Sequence, residues 1–276
     1  MSAVIMNGKA LAERIKGEIA NQVLNMNKKP ALGTILVGSD PGSIAYVDGK
    51  HRDCAQVGIK SIKMNLPDTA TTAQVLSVVE ELNKNPACTG FIVQLPLPRT
   101  VDTEKILLAI DPNKDADGLN PINLGKFALG SGSIIPCTPK AIIALLNEYK
   151  VKLPGANVLI IGRGTTVGRP LSILLSQKPS NATVTLAHSA TSNLPELIKN
   201  ADIVVAAIGS AHFIKVGMIK TGAVIIDVGI TRTSEGLLGD VDPQVALTAS
   251  VFAPMPGGVG PITRAMLLTN LIELAK

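Results

Sequence analysis

A glycine-rich turn between a strand-like and a helix-like segment is the feature that most restricts the fold of this chain. The apolar run Val158–Ile161 leads into GRGTTVG, which places Gly162, Gly164 and Gly168 before a helical pattern. Glycines here let a strand turn tightly into a helix whose N–H groups and dipole favour a phosphate. The spacing has one residue more than the standard dinucleotide fingerprint, but the strand-turn-helix context is the expected one. The turn predicts a dinucleotide-binding α/β domain; the alternative is an ordinary turn with glycines for packing.

Strand-like and helix-like segments alternate along the rest of the chain, which predicts parallel sheets covered by helices. The charged, turn-rich segment Asp111–Asn123 interrupts this alternation and predicts a domain boundary. We therefore expect an α/β fold with two domains and a cleft between them. The first is an N-terminal α/β domain with a parallel sheet, residues 1–118, completed by the C-terminal helix 262–276. The second is a Rossmann-like NAD(P)-binding domain, residues 119–261.

The composition is that of a globular protein and not of a nucleic-acid or membrane protein. Of 276 residues, 46% are hydrophobic and 17% charged, and no apolar run reaches the ~18 residues of a membrane span. The net charge of +5 is scattered and aromatic residues make up only 2%, so a nucleic-acid surface is not expected. Cys54, Cys88 and Cys137 suit neither a disulfide framework nor a metal cluster. With no signal-peptide pattern at the N-terminus, these features predict a soluble cytoplasmic protein.

The strand that follows the glycine-rich turn discriminates between the two nicotinamide coenzymes. An NAD site usually ends this strand with an acidic residue that binds the ribose 2′-hydroxyl. Here TVTLAHSAT ends with His188 and Ser189 and has no carboxylate, while Arg163 lies inside the turn. A cation with hydroxyl donors suits a 2′-phosphate, so NADP is favoured. Arg163 could instead be a solvated loop arginine, and His188 a polar strand end.

Tyr46 and Lys50 form a second candidate site. Four residues apart on a predicted helix, they share one face, and Gly49 leaves that surface open. A ring and an amine that point together can stack a flat heterocycle and serve its proton chemistry. The amine acts near neutral pH only if burial or neighbours lower its pKa. Taken alone, such a pair is more often an ordinary helix face.

Three further segments carry polar or glycine residues at positions where ligands bind. Gln94 follows the strand-like run GFIV, and ligands of parallel sheets lie at the carboxyl ends of strands. Asp115 and Asp117 lie at the predicted domain junction, where they could bind a ligand or simply form a turn. The glycines at 257, 258 and 260 could form a hinge, a backbone surface for a ligand, or both.

Together these segments resemble the methylenetetrahydrofolate dehydrogenase/methenyltetrahydrofolate cyclohydrolase family. The resemblance covers nearly the whole chain and rests on motifs that follow one another in order. They are VGSDPGSIAYVDGK, GFIVQLPLP, KDADG, PCTPK, IIGRGTTVGRP, AHS, IIDVGI, GDVD and PMPGGVGPIT.

The resemblance implies a role for each residue of the folate site. Lys50 matches the catalytic lysine of the cyclohydrolase step, and Gln94 the glutamine that binds and tunes it. Tyr46 matches the tyrosine that stacks on the folate, and Asp117 the aspartate that binds the pterin. The rest of the implied substrate site comprises Leu95, Gly257 and Gly258.

The resemblance also implies a coenzyme site and an assembly. The positions matching NADP contacts are Gly162, Arg163, Gly164, Ser189 and Ile230. The family often has serine at the position of Gly164, so one hydroxyl that could contact a phosphate is missing, and Ala253 stands where threonine is common. Members are typically homodimers that pair through their nucleotide domains.

The implied chemistry is oxidation of 5,10-methylenetetrahydrofolate with NADP⁺, then hydrolysis of 5,10-methenyltetrahydrofolate to 10-formyltetrahydrofolate, without a metal. This one-carbon interconversion would serve purine, histidine and methionine synthesis. Two other classes stay open on the residues alone. One is a different NAD(P) dehydrogenase acting on a small hydroxy or amino acid, although no carboxylate-binding arginine with a catalytic histidine or lysine can be picked out. The other is a non-catalytic nucleotide sensor, which would have no reason to keep Lys50.

Overall fold

The structure is a computed structural model that describes residues 2–234 and 236–276. Its elements begin with β1 (Val4–Ile5), α1 (Gly8–Leu24), β2 (Ala31–Val37), α2 (Pro41–Val57), β3 (Lys60–Leu66), α3 (Thr72–Lys84), β4 (Gly90–Val93), α4 (Thr103–Ala109) and α5 (Pro121–Ala128). They continue with α6 (Cys137–Glu148), β5 (Asn157–Ile161), α7 (Gly168–Ser176), β6 (Thr183–Ala187), α8 (Leu194–Asn200), β7 (Ile203–Ala206), β8 (Val224–Asp227), β9 (Thr231–Thr233), β10 (Gly236–Leu238), a 3-10 helix (Pro243–Leu247), β11 (Val251–Ala253) and α9 (Val259–Leu274).

The chain forms two compact units, which we call the lysine unit and the nucleotide unit. The lysine unit comprises Glu13–Cys137 and Arg264–Lys276. The nucleotide unit comprises the residues up to Ala12 together with Thr138–Thr263. This division differs from the expected boundary after residue 118. Residues 119–137 stay with the lysine unit because Asn120 and Asn123 hydrogen-bond within it, and the N-terminus joins the other unit because β1 pairs with β11.

The lysine unit is built on a three-stranded parallel sheet. Strand β2 lies between β3 and β4 and runs parallel to both. Its sequence ALGTILV is buried at every position, as expected of a central strand covered on both faces. A single parallel bridge from Phe91 to Asp115 attaches the KDADG segment to β4. The same three-stranded sheet therefore holds the carboxyl end of β4, the KDADG segment and the start of α2, which follows β2.

The nucleotide unit is built on a six-stranded sheet in the order β1-β11-β8-β7-β5-β6, with every pair parallel. The chain passes from β5 to β6 on one side and then to β7 on the other. The carboxyl end of β5 is therefore a topological switch point, where open α/β sheets bind ligands. The glycine-rich turn begins at this point.

The structure confirms the α/β class and the parallel sheets, and it corrects two local predictions. The turn-rich segment around residue 120 leads directly into a helix, α5, because Asn120 caps it by accepting from the Ile122 N–H and Pro121 opens it. The last helix, α9, begins at Val259 and not at residue 262.

Helix α2 has strong signals at both of its ends. The side chain of Asp40 accepts a hydrogen bond from the Ser43 N–H at 2.7 Å, and Pro41 occupies the first turn. Gly58 ends the helix with φ of 79°, the left-handed conformation typical of a glycine cap. Local sequence therefore sets both ends of the helix that carries Tyr46 and Lys50.

In the part of the chain that the structure describes, no helix has the length and apolar character needed to cross a bilayer.

The cap predicts a measurable loss of stability. Replacing Asp40 with alanine leaves the Ser43 N–H without its acceptor, so the free energy of unfolding should fall by about 1 kcal/mol. Denaturant unfolding followed by circular dichroism measures this change. Glu18→Ala, which removes an exposed carboxylate from α1, is the matched control and should change stability by less than ~0.5 kcal/mol. Equal effects of the two substitutions would contradict the capping role.

Candidate active site

Lys50 belongs to the buried face of α2. The buried residues Val47, Cys54 and Val57 share its helical face, and Lys50 itself is only 6% exposed. The ordinary reading of the Tyr46–Lys50 pair as a solvated helix face is therefore wrong. A buried amine is costly unless it is partnered or neutral, which makes Lys50 a candidate functional group.

The amine of Lys50 has partners from two directions. It donates to Oε1 of Gln94 at 3.0 Å, and it lies 4.9 Å from the centroid of the Tyr46 ring. The amide nitrogen of Gln94 donates in turn to the carbonyl of Leu95 at 2.7 Å, so the glutamine presents its oxygen, not its nitrogen, to the amine. The structure thus brings together Tyr46, Lys50, Gln94 and Leu95 within the lysine unit.

The surroundings of Lys50 lower the pKa of its amine. Burial is the largest influence and lowers the pKa of its amine, and the positive charge of Arg264 acts in the same direction. The negative charge of Asp117 opposes this shift and raises the pKa. The balance lowers the pKa below its ordinary value, so a larger share of the amine is neutral near pH 7 than in a solvated lysine.

The two aspartates of the KDADG segment have different roles. Asp115 is 1% exposed and accepts from the backbone N–H groups of Gly118, Leu119 and Asn120 at 3.0, 3.2 and 2.8 Å. It is therefore the residue that forms the turn. Asp117 is half-buried and influences Lys50 through its charge. The structure separates a carboxylate that forms the turn from one whose charge acts on the amine, which the sequence left open.

A buried ionic network lies on the same helix as Lys50. Asp53 accepts from Nζ of Lys16 at 3.0 Å and from Nε of Arg264 at 2.7 Å. Sequence reasoning named none of these three residues. Two signals were present: Asp53 is three residues after Lys50, and Arg264 is the one basic residue in the apolar helix α9.

In the nucleotide unit, two glycines of the turn are required by close backbone packing. Gly162 has φ of 113°, and a Cβ built on it would lie 2.2 Å from the Ala207 carbonyl oxygen. A Cβ on Gly168 would lie 1.8 Å from the carbonyl oxygen of Gly162. A Cβ on Gly164 would meet nothing within 4 Å. The first and last glycines shape the turn, while Gly164 leaves its outer surface open.

The edge around this turn has the features of a diphosphate site. Helix α7 begins after Val167, whose apolar side chain accepts no hydrogen bond. The first N–H groups of α7 are therefore not capped by the side chain of that residue. Arg163 is exposed in the turn, and Ser189 is exposed just beyond β6, whose last residue pairs with Ile161 of β5. The residues present therefore fit a nicotinamide dinucleotide.

A carboxylate fixes the next loops along the same edge. Asp240 is fully buried and accepts from the N–H groups of Ile208 and Ser210 at 2.7 Å each. Its own N–H donates to Asp227 at the end of β8 at 2.9 Å. These bonds tie the loop after β7 to the segment after β8, in which Ile230 is 53% exposed.

The glycine loop before α9 packs on the start of α1. Gly257 has φ of 102°, and its carbonyl oxygen accepts from the Gly8 N–H at 3.0 Å. A Cβ on Gly8 would lie 1.7 Å from the carbonyl oxygen of Gly258. Both predicted loop residues, Gly257 and Gly258, therefore belong to the nucleotide unit.

Comparison with protein families identifies the class to which this architecture belongs. Residues 6–117 match the model of the tetrahydrofolate dehydrogenase/cyclohydrolase catalytic domain, and residues 136–276 match the model of its NAD(P)-binding domain. The chain belongs to the tetrahydrofolate dehydrogenase/cyclohydrolase family, whose members combine an oxidoreductase and a hydrolase activity. The predicted family, the two-domain fold and the bifunctional enzyme class are confirmed.

Several solved structures are similar over almost the whole chain. The bifunctional methylenetetrahydrofolate dehydrogenase/cyclohydrolase from Campylobacter jejuni is 37% identical with a TM-score of 0.94, covering 99% of both chains. The 5,10-methylenetetrahydrofolate dehydrogenase from the silkworm Bombyx mori is also 37% identical, with a TM-score of 0.94 over 99% of this chain and 98% of its own. The Trypanosoma brucei enzyme, complexed with NADP cofactor and inhibitor, is 36% identical with a TM-score of 0.94 over 99% and 97%.

The turn geometry predicts opposite outcomes for two neighbouring glycines. Gly162→Ala places a methyl group against the Ala207 carbonyl at an unfavourable φ, so the free energy of unfolding should fall by about 2 kcal/mol or more. Gly164→Ala enters open space and should change stability by less than ~0.5 kcal/mol. Thermal and denaturant unfolding of both variants measures the difference. A Gly162→Ala variant as stable as Gly164→Ala would contradict the described turn.

Proposed function

We propose that this chain oxidises 5,10-methylenetetrahydrofolate with NADP⁺ and hydrolyses the resulting 5,10-methenyltetrahydrofolate through Lys50. The observation that carries the proposal is the buried amine of Lys50, bound to Gln94 and lowered in pKa by burial. Such an amine can accept a proton near neutral pH, which a solvated lysine does poorly. Membership of a bifunctional family supplies the reaction type.

In the hydrolytic step, Lys50 acts as the base for water. The water oxygen bonds to the methenyl carbon of the cationic substrate, and one water proton passes to the neutral amine. The bond from this carbon to N5 then breaks, the remaining hydroxyl proton moves to N5, and the carbon stays on N10 as a formyl group. The ammonium of Lys50 releases its proton to solvent, so one water is consumed and one proton released. Gln94 holds the amine in place through its oxygen.

Three neighbours of Lys50 would bind the folate. The ring of Tyr46 offers a flat apolar surface for stacking, and the carboxylate of Asp117 can accept hydrogen bonds from the pterin. Leu95 extends the surface beyond Gln94. Gly257 and Gly258 of the nucleotide unit are proposed to complete the folate site through their backbone.

The coenzyme residues are proposed to be Gly162, Arg163, Gly164, Ser189 and Ile230. When bound, NADP⁺ supplies the acceptor for the hydride that leaves the methylene carbon. The close-packed turn and the uncapped start of α7 would hold the diphosphate through backbone N–H groups. Arg163 and Ser189 would bind the 2′-phosphate by charge and hydroxyl donation. The NADP in the Trypanosoma brucei structure supports this choice of coenzyme.

A homodimer that pairs through the nucleotide units and a cytoplasmic location complete the proposal. The resemblance to the family supports the dimer. The three cysteines are buried and unbonded to one another, which suits a reducing compartment. Light scattering coupled to size-exclusion chromatography tests the dimer, and a purely monomeric protein at micromolar concentration would contradict it.

Replacing Lys50 tests the hydrolytic base. Lys50→Met keeps the length and the apolar stem but removes the amine, so hydrolysis of methenyltetrahydrofolate should fall by about 100-fold or more while the protein stays folded. Loss of substrate absorbance measures the rate, and thermal unfolding checks the fold. Arg52→Met removes an exposed cation from the same helix and should hydrolyse normally. Wild-type hydrolysis by Lys50→Met would show that another group is the base.

Coenzyme kinetics test the proposed phosphate contacts. The kcat/KM for methenyltetrahydrofolate formation should be higher with NADP⁺ than with NAD⁺. Arg163→Ala should reduce that ratio by about tenfold, because a charge-assisted contact to a phosphate contributes ~1.5 kcal/mol or more. Arg99→Ala, an exposed arginine in the lysine unit, is the control and should leave the ratio unchanged. A clear preference of the wild type for NAD⁺, or an unchanged ratio in Arg163→Ala, would overturn this assignment.

A further inference from the structure

The guanidinium of Arg264 lies directly against the backbone of α2, at the residue before Lys50. A Cβ built on Gly49 would lie 2.9 Å from a terminal guanidinium nitrogen of Arg264, 3.3 Å from Cζ and 3.4 Å from Cδ. Any larger residue at position 49 would have to displace this side chain. The glycine therefore makes room for a cation next to Lys50.

Arg264 is held in this position by a buried carboxylate. Its Nε donates to Oδ2 of Asp53 at 2.7 Å, and the Asp53 side chain is only 7% exposed. Lys16 donates to the other oxygen, Oδ1, at 3.0 Å and also binds Gln56 at 2.7 Å. Both oxygens of Asp53 are therefore engaged, and the arginine cannot rotate away without leaving a buried carboxylate oxygen unpaired.

The charges of this network balance, but they are not evenly placed. Two cations, Lys16 and Arg264, face two carboxylates, the buried Asp53 and Glu13, which pairs with Lys16 and is 61% exposed. Although burial opposes it, the hydrogen bonds of Lys16 with Glu13 and Asp53 raise the pKa of Lys16, so Lys16 stays charged. Within this network it is Arg264 that brings its positive charge to the surface of Gly49.

Several elements present titratable or polar groups around the Lys50 amine. They are Tyr46, His51 and Cys54 on α2, Gln94 after β4, Asp117 in the KDADG segment, Cys137 at the start of α6 and Arg264 on α9. Of the charges acting on the pKa of Lys50, that of Asp117 favours the ammonium form and that of Arg264 opposes it. Arg264 therefore offsets the carboxylate that the folate site requires.

We propose that Arg264 is a positioning residue for the hydrolytic step: fixed by Asp53 on the surface of Gly49, its positive charge favours the neutral form of the Lys50 amine, against the carboxylate charge of Asp117. The inference rests on the proposed role of Lys50 as the base. It adds a reason for a basic residue inside the apolar helix α9, which packing alone does not require. It also explains why residue 49 is a glycine: a side chain there would meet the guanidinium of Arg264.

The pH dependence of hydrolysis tests this role. The base must be neutral to act, so the rate rises with pH through the pKa of Lys50 and levels off above it. Arg264→Met removes the cation and keeps the side-chain length. It should move the rising limb of kcat to higher pH by about one unit, which lowers the rate about tenfold at a pH below both values and restores it at alkaline pH. The uncatalysed hydrolysis of methenyltetrahydrofolate is subtracted at each pH.

Three comparison variants separate charge from structure. Arg264→Lys keeps the charge, so its limb should lie closer to the wild type than to Arg264→Met. Gly49→Ala changes no charge but pushes the guanidinium away, and should move the limb in the same direction by a smaller amount. Arg52→Met removes an exposed cation two residues from Lys50 and should leave the limb in place.

The outcomes distinguish this inference from a merely structural role and from an error about Lys50. A merely structural role would lower the melting temperature and both activities without shifting the rising limb of the pH–rate curve. An unshifted limb in folded Arg264→Met or Gly49→Ala therefore overturns the inference. Coincident limbs for Arg264→Lys and Arg264→Met overturn it as well. If Lys50→Met hydrolyses the substrate at the wild-type rate, Lys50 is not the base. This result would overturn the proposed function itself, whatever the pH dependence of Arg264→Met.

Discussion

A lysine amine that is almost fully removed from water must either lose its proton or be surrounded by groups that stabilise its charge. Lys50 is in this position because it shares the buried face of α2 with Val47 and Cys54. The oxygen of Gln94 fixes the amine, while Asp117 and Arg264 push its pKa in opposite directions. The chemistry of the lysine unit depends on this balance, in which burial is the largest influence.

The same physical rule, that a buried polar group needs a partner, organises the structure around both sites. Asp115 accepts three backbone N–H groups and so orders the segment that presents Asp117. In the nucleotide unit, Asp240 performs the equivalent task for the loop after β7. Each is an aspartate that forms a loop, next to residues that are proposed to bind a ligand. Loss of either acceptor would leave backbone donors without partners inside the protein.

Parallel sheets explain why the candidate residues, scattered along the chain, form compact groups. Gln94 follows β4, the KDADG segment bridges to β4 at Phe91, and α2 starts beyond β2, so one sheet gathers the residues of the lysine unit that are proposed to bind the folate. In the other sheet, the turn at Gly162, Ser189 and the loop after β8 follow neighbouring or next-neighbouring strands. In parallel α/β sheets, ligand sites form at the carboxyl ends of the strands, whichever residues occupy them.

Local sequence determined most of the elements, because glycine, capping and hydrophobic periodicity act within a few residues. Such local patterns can predict the bounds of β2, β5 and α7, the glycine cap at Gly58 and the shared face of Tyr46 and Lys50. The order of the motifs predicted the family. Tertiary structure alone decided that this face is buried, that Asp115 forms the turn while the charge of Asp117 acts on the amine, and that Arg264 reaches Gly49 across 215 positions of sequence. Helix α5 was missed because its cap, Asn120, lies in a run of turn-forming residues. These outcomes depend on contacts between distant segments, and neither burial nor electrostatic balance exists until the chain has brought those segments together.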